Sequence, residues 1–558
     1  MTIAGGRFTI VFNGEITNYV EIRRELLATG ETFESDGDTE VLVKAWAKWG
    51  VATLDRLEGM FAFAVLDIMS GTLTLARDPF GIKPLYIRRD RNRIVFNSEL
   101  RGLLANSRSQ PRLDWQTAID YLQWSIVDHT DRTFVEGVTQ LAPGHHVTVE
   151  LSTGTMGDPV RYWWPSVAKT FTGSYVEATD AVRQLFIESV RHNLRSDVPV
   201  GIALSGGIDS SAIVGAVRHL EPDRPIQTFS YIAPGFAQSE ERWIDSVAQA
   251  LGAQSHTVAT TSADLERDLD DLILTEGEPF GSTSIYAQYS VFRLAREHGI
   301  VVTLDGQGGD EVFAGYFGYP APRMRSMIET GHWGAAARFV REWARWPGRD
   351  ARTMLVEAAG QFAPPRLRGR IIRQPASPIL DIARLSDRGV DFRFPASTVP
   401  SVRGRQLMST LRSAQTRIGL PSLLRNGDRN SMRFSIESRV PFLDRELTEF
   451  VMGLPEEWLV GPDGTSKRIL RDAVRDLVPD EVVDRRDKVG FETPETSWLA
   501  RLSAQSTDPD HPIAFLRTDL GPSITGGFNE TELGWGSGAH WRLINLHRWV
   551  TLYDVDGS

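Results

Sequence analysis

Three groups of residues have the types and spacing that chemistry with phosphate would need. The first is the stretch SGGIDSS at 205–211, which follows the apolar run VPVGIAL and precedes a helical run. Its glycines let backbone approach an anion, its hydroxyls add donors, and the next helix presents open N–H groups and the positive end of its dipole. The plainer alternative is a glycine turn in which Ser205 or Ser210 caps the helix. Position after a buried strand, and the acid Asp209 embedded in the loop, favour the anion site. The second group, DGQGGDE at 305–311, also follows an apolar strand; a lone Asp310 in such a turn would otherwise be turn chemistry. The third is Lys467, which by itself reads as a solvated lysine near a helix start.

The elements that must hold these residues follow from hydrophobic period. From about residue 175, strands VPVGIALS, IQTFSYIA, SHTVAT and GIVVTLDG alternate with helical stretches. That alternation predicts a parallel sheet with helices on both faces, and ligands beyond the carboxyl ends of the strands. The first 150 residues read mainly as strands joined by turns, FAFAVLD with TLTLARD and PLYIRRD with RIVFNSE. Two helical stretches interrupt them, YVEIRRELLA and TEVLVKAWAKWG, giving an α+β pattern. Residues 320–420 read as largely helical, and the Arg- and Trp-rich RFVREWARWPGRDARTML reads as a packed amphipathic helix.

Composition bounds the rest. The 558 residues exceed one ordinary core, so two or three domains are expected. A net charge of -11 argues against tracking nucleic-acid phosphates, and no run reaches the ~20 apolar residues of a membrane span. The start lacks the pattern of a secretory signal, so the expected location is the cytoplasm. There is no cysteine, which removes disulfides, cysteine-zinc sites and thiol catalysis from the chain.

The loop is not a Walker motif, since G-x-x-x-x-G-K-[ST] is absent. It resembles the pyrophosphate loop of the N-type ATP pyrophosphatases. With LDGQGGDEVFAGY at 304–316, FSIESRVPFLD at 434–444 and SKRILR at 466–471, the chain resembles the asparagine synthetase family. NGEITNY at 13–19, LEGMFAFAVLD at 57–67, RDPFGIKPLY at 77–86 and LAPGHH at 141–146 resemble that family's glutamine amidotransferase domain.

The resemblance implies an incomplete α+β Ntn-type sandwich over 1–165, then a doubly wound α/β parallel-sheet ATP pyrophosphatase domain over 175–555. It implies that Ser205, Gly206, Gly207, Asp209, Ser210 and Ser211 bind pyrophosphate, and that Leu204, Tyr231, Asp305 and Gly306 line the adenosine site. Asp209 and Asp310 would hold Mg²⁺, and Lys467 would neutralise charge as the α-phosphorus is attacked. Glu437, Arg439 and Asp444 would either shape the site or form a structural ion pair. The implied reaction adenylates the aspartate side chain with ATP; ammonia, supplied free or from glutamine, then displaces AMP. The alternative is an amide- or lactam-forming ligase acting on another carboxylate. Partners would be these small molecules, with no nucleic acid or membrane, and a homodimer as the assembly left open. A protein that binds through a vestigial fold is the rival outside catalysis, and the intact phosphate loop argues against it.

Two departures qualify the expectation. Asn13, Gly14, Glu15 and Asp38 match glutamine-site positions, yet the family's nucleophilic cysteine has no counterpart, and the match begins at a strand inside that domain. Either the start is truncated or the glutaminase activity has been lost. Gln307 stands where several members carry a glutamate that serves as a base; glutamine takes up no proton but orients a carboxylate by hydrogen bonds.

Overall fold

The structure, a computed structural model, describes residues 1–90, 93–107, 109–236, 239–346, 349–362, 377–395, 399–486, 493–502, 512–517 and 538–558. It divides into two units, Met1–Ser109 with Thr130–Pro165, and Gln110–His129 with Ser166–Ser558.

In the first unit, the strand Gly59–Asp67 shows how alternation builds layers. Phe61, Phe63 and Val65 enter a core with Ile22 and Leu26 of the helix Tyr19–Ala28 and with Val41, Leu42 and Ala45 of the helix Asp38–Trp49. Ala62 and Ala64 point the other way, toward Leu85, Ile87 and Leu141. Successive side chains of a strand face opposite sides, so one strand serves two cores. Among the described residues, antiparallel seven- and three-stranded sheets pack around the second of these cores, and the helices cover the first.

The second unit contains the parallel sheet that the alternation predicted. Its order is Gln254–Val258, Gln227–Tyr231, Val200–Ala203, Val302–Leu304, Glu437–Arg439, all pairs parallel among the described residues. The chain winds outward from Val200–Ala203 in one direction, then returns to its other side with Val302–Leu304. Loops leaving two neighbouring strands on opposite sides of such a reversal open a crevice between them. These are the two glycine-rich loops.

Three findings differ from the sequence reading or add to it. Glu437–Arg439 is a strand, paired with Val302–Leu304, although its polar composition gives no strand signal. Residues 110–129, which a division at 165 leaves with the first unit, group with the second. There the helix Trp115–Trp124 buries its apolar residues, and the Tyr121 hydroxyl donates to the Phe280 carbonyl at 2.8 Å. The Arg- and Trp-rich stretch is two helices rather than one, Trp333–Trp343 and Ala351–Phe362, with a Pro-Gly dipeptide between them as the signal for the break.

Glu276 is fully buried at the end of the helix Ser262–Glu276, and neither carboxyl oxygen has a hydrogen-bond partner. Burial pushes its pKa from 4.5 up to about 8 against the pull of Arg425 and Arg429. The native state then holds this proton more tightly than the unfolded state, so stability falls as pH rises across that window. Glu276→Gln, which has no charge to bury, is expected to escape this loss. Its advantage in urea unfolding should grow by about 1.4 kcal/mol per pH unit between pH 6 and 8. Parallel pH profiles for the two proteins would contradict the assignment.

Candidate active site

The strand Val200–Ala203 runs through Leu204 into the turn Ser205–Gly207 and the helix Ile208–Leu220. Gly206 has φ +69°, and a Cβ there would lie 2.6 Å from the Trp243 Cβ, so both conformation and space demand glycine. The Ser205 N–H donates to the Ser210 hydroxyl at 3.1 Å, which in turn donates to the Gly207 carbonyl at 3.2 Å. The loop is therefore held in shape by its own hydroxyls. Gly207 caps the helix without a side chain, so the first-turn N–H groups and the positive dipole end face the loop mouth.

The facing loop, from Asp305 to Gly309, is closed by the Gln307 N–H donating to Asp305 Oδ1 at 3.1 Å. A Cβ on Gly309 would lie 2.7 Å from the Asp209 carboxylate, so this glycine lets the two loops meet.

Lys467 joins them from a third direction. It precedes the short helix Arg468–Ala473 with φ +53°, a left-handed conformation that costs a residue with a Cβ about 1 kcal/mol. Its side chain is 3% exposed, and Nζ lies 2.5 Å from both Asp209 Oδ2 and Asp310 Oδ1. Two carboxylates thus converge on one cation, their oxygens no farther apart than twice that distance.

This donor set suits Mg²⁺. It is hard oxygen, and Mg²⁺ typically takes one or two carboxylates and completes its shell with water and substrate phosphates. Among the described residues no group of three or more His, Cys, Asp or Glu forms a cage of its own. Asp209 and Asp310 therefore fit a metal shared with phosphate.

Beside these groups lies a cleft of about 330 Å³. Of the expected residues, Leu204, Ser205, Asp209, Ser210, Tyr231, Asp305, Gly306, Gln307 and Asp310 line it. Gly206 and Gly207 shape the turn without lining the cleft, while Ser211 is fully buried within the helix and its hydroxyl has no hydrogen-bond partner. Phe229, Tyr231, Val291 and Phe292 give the cleft an apolar wall that suits a purine ring.

Sequence reasoning missed Ser284, Gln288 and Phe292, which line the cleft from one helix at spacing i, i+4, i+8. That spacing was legible, but it marks a buried face equally well. Glu311, 1% exposed, was also missed although it follows Asp310 directly. Burial and the neighbouring Asp310 push its pKa up to about 7, against the Tyr316 hydroxyl that donates to it at 2.7 Å. Burial likewise lifts Asp305 to about 6, the N–H groups of Gln307 and Gly306 opposing. The buried Oε1 of Gln307 has no hydrogen-bond partner.

Glu437, Arg439 and Asp444 stand outside the cleft lining. Arg439 donates to Glu437 at 2.6 Å and to the Arg195 carbonyl at 2.6 Å, which fixes the edge strand, and Asp444 caps the helix Arg445–Met452 through the Leu447 N–H. Glu437 and Arg439 thus form a structural ion pair, while Asp444 serves as a helix cap.

In the first unit, Asn13, Gly14 and Glu15 lie half-buried on the strand Phe8–Ile16. Gly14 has φ +146°, and a Cβ there would collide with the Met60 carbonyl. Asp38 begins the helix Asp38–Trp49 and accepts the Ile16 N–H at 3.0 Å, which brings it beside the end of that strand.

Residues 181–509 match the model of the family described as asparagine synthase, and residues 1–163 that of a glutamine amidotransferase domain. The chain is 29% identical to asparagine synthetase [glutamine-hydrolyzing] 1 of Bacillus subtilis (strain 168), over 88% of this chain and 77% of the relative. It is 28% identical to asparagine synthetase [glutamine-hydrolyzing] 3 of the same organism, over 100% of this chain and 89% of the relative. It is also 27% identical to "Amidase chry2" of Gibberella zeae, over 88% of this chain and 78% of that protein.

Proposed function

The chain belongs to the asparagine synthase family, and on that premise we propose that it is an AMP-forming carbon–nitrogen ligase that adenylates the side-chain carboxylate of aspartate and amidates it with ammonia. The observation that carries this reading is Lys467 clamped between Asp209 and Asp310 where two glycine-rich loops meet at the reversal of the parallel sheet.

Each residue then has a defined task. ATP lies with its adenine against Phe229 and Tyr231 and its β- and γ-phosphates on the Ser205–Ser210 turn and the open helix end. Magnesium, when bound, supplies charge neutralisation across the phosphates, held by Asp209 and Asp310. The acid's carboxylate attacks the α-phosphorus, and pyrophosphate departs. Lys467 Nζ, buried between the same two carboxylates, stabilises the negative charge that builds during the attack. Ammonia attacks the acyl carbon, and AMP leaves. Gln307 orients the carboxylate or the incoming amine, since an amide has both donors and an acceptor.

A second reading, an amide- or lactam-forming ligase acting on another carboxylate, is favoured by the cleft walls. Among the described residues that line the cleft there is no Arg or Lys to receive the α-carboxylate of aspartate, while Asp209, Glu240, Asp305, Asp310 and Glu311 are all acids. The fungal relative named an amidase points the same way.

Mass spectrometry of products from ATP, a nitrogen donor and a panel of carboxylic acids separates the two. The first reading expects asparagine from aspartate with ammonium as donor and none with glutamine, since the polypeptide has no cysteine to attack the amide. Amide formation from another acid but not from aspartate would replace it with the second. Glutamine-dependent asparagine formation would overturn the assignment of the nitrogen donor.

A further inference from the structure

Behind Lys467 lies a second, smaller space that the proposed reaction does not use. Asp310 is a wall of both this chamber and the ATP cleft, and Lys467 with its two ion pairs stands as the partition. The chamber holds about 50 Å³ and is lined by Arg349, Lys467, Arg471, Arg485 and Arg486, with Asp310 as the one acid among the described lining residues. Five cations around so small a space stand out in a chain whose net charge is -11.

The arginines are built in place. Arg349 and Arg486 both stack on the Trp346 indole, with guanidinium carbons 4.4 and 4.7 Å from the ring centre. Arg485 donates to Glu240 at 2.8 Å and lies over Trp243, the residue against which Gly206 is packed. Arg471 is fixed by donating to the Ser466 carbonyl at 2.9 Å. Arg349 Nε is buried with no hydrogen-bond partner. Burial pulls the Arg349 pKa down to about 10, with Arg471 adding to the effect and Asp463 opposing it; burial lowers Arg471 too. Asp463 at Arg349, and Asp209 and Asp484 at Arg471, offset this only in part, and an added anion stabilises guanidiniums in such a setting.

The chamber leads outward. A surface cavity of about 580 Å³ shares Trp346, Arg471, Arg485 and Arg486 with it and adds Arg468 and Arg475. The same cavity is lined by Asp463, Asp472 and Asp484, and Arg475 pairs with Asp484 at 2.9 Å, so the arginines reach from the back of the phosphate loop to solvent with acids among them at the outer end. Trp346 and Arg349 come from the Arg- and Trp-rich stretch that the sequence reads as an ordinary packed helix.

We propose that this arginine chamber is a phosphate-anion site through which pyrophosphate leaves, behind Lys467, after the adenylate has formed. The proposal rests on the AMP-forming reading for the identity of the anion. Planar guanidiniums bind phosphate oxygens in pairs, and a file of such sites passes a strongly charged product outward without releasing it into a low-dielectric interior.

The test is calorimetric titration of the full chain with inorganic pyrophosphate, comparing wild type with the double variant Arg349→Ala/Arg486→Ala. Adenosine, which has no phosphate, is titrated in parallel to show that the variant is folded. The expected result is pyrophosphate binding at least tenfold weaker in the variant, with Arg349→Lys/Arg486→Lys in between because charge is kept and the fork is lost. Pyrophosphate affinity within twofold of wild type, in a variant that still binds adenosine, would overturn the proposal. Failure of the underlying reading looks different. A chain that released ADP yet lost pyrophosphate affinity with the arginines would retain the anion site and lose its assigned anion. A chain that released AMP with unchanged affinity would retain its function and lose the exit route.

Discussion

Lys467→Ala is expected to slow adenylate formation by about 10²–10³-fold while ATP affinity changes by less than about tenfold. The asymmetry follows from geometry. Nζ is fixed in advance by Asp209 and Asp310, so its charge acts on whatever negative charge develops between them, and the adenine wall that contributes to ground-state binding is untouched. ATP–pyrophosphate exchange in the presence of the acid measures this step directly. Exchange within threefold of wild type would remove Lys467 from the mechanism. The variant also leaves two carboxylates facing each other without their cation, so its unfolding midpoint should fall, by an amount on the order of 3 kcal/mol in stability. Lys467→Arg, which keeps the charge on a bulkier group, is expected to recover more of that stability than of the rate.

Asp209→Ala is expected to reduce exchange by more than about 10²-fold, and Asp209→Asn by nearly as much, because the function assigned to Asp209 requires its charge. Asp209 is 5% exposed in the first turn of the helix, touching the space that Gly306 and Gly309 keep free. Asparagine preserves that shape and removes the charge, so it separates packing from metal and lysine binding. Full exchange activity in Asp209→Asn would refute the assignment.

The chemistry of the site was more legible in the sequence than its walls. Both glycine-rich loops follow apolar strands, and that position alone places them at the carboxyl ends of a parallel sheet. The meeting of the loops depends on strand order, which the sequence does not state: Val200–Ala203 and Val302–Leu304 are neighbours because the chain reverses its winding between them. Glu437–Arg439 was illegible as a strand because its extended form comes from backbone pairing with Val302–Leu304 and not from its side chains. Ser284, Gln288 and Phe292 share a helix face that a periodic reading finds, yet nothing in that period says whether the face meets a core or a cleft. Lys467 was legible only through family resemblance, since its value lies in two acids that are about 260 and 160 residues away along the chain. Glu276 illustrates the limit from the other side, as its raised pKa depends on burial that no local pattern records.

The measurement that tests the central claim most directly is the fate of labelled nucleotide. ATP labelled in its α- and γ-phosphates is incubated with the purified chain, magnesium and the acid panel, and the products are separated. The account predicts label in AMP and in pyrophosphate, in equal amounts and dependent on the acid. Label in ADP and inorganic phosphate would contradict it, because the Ser205–Ser210 turn would then be holding a nucleotide that breaks at a different bond.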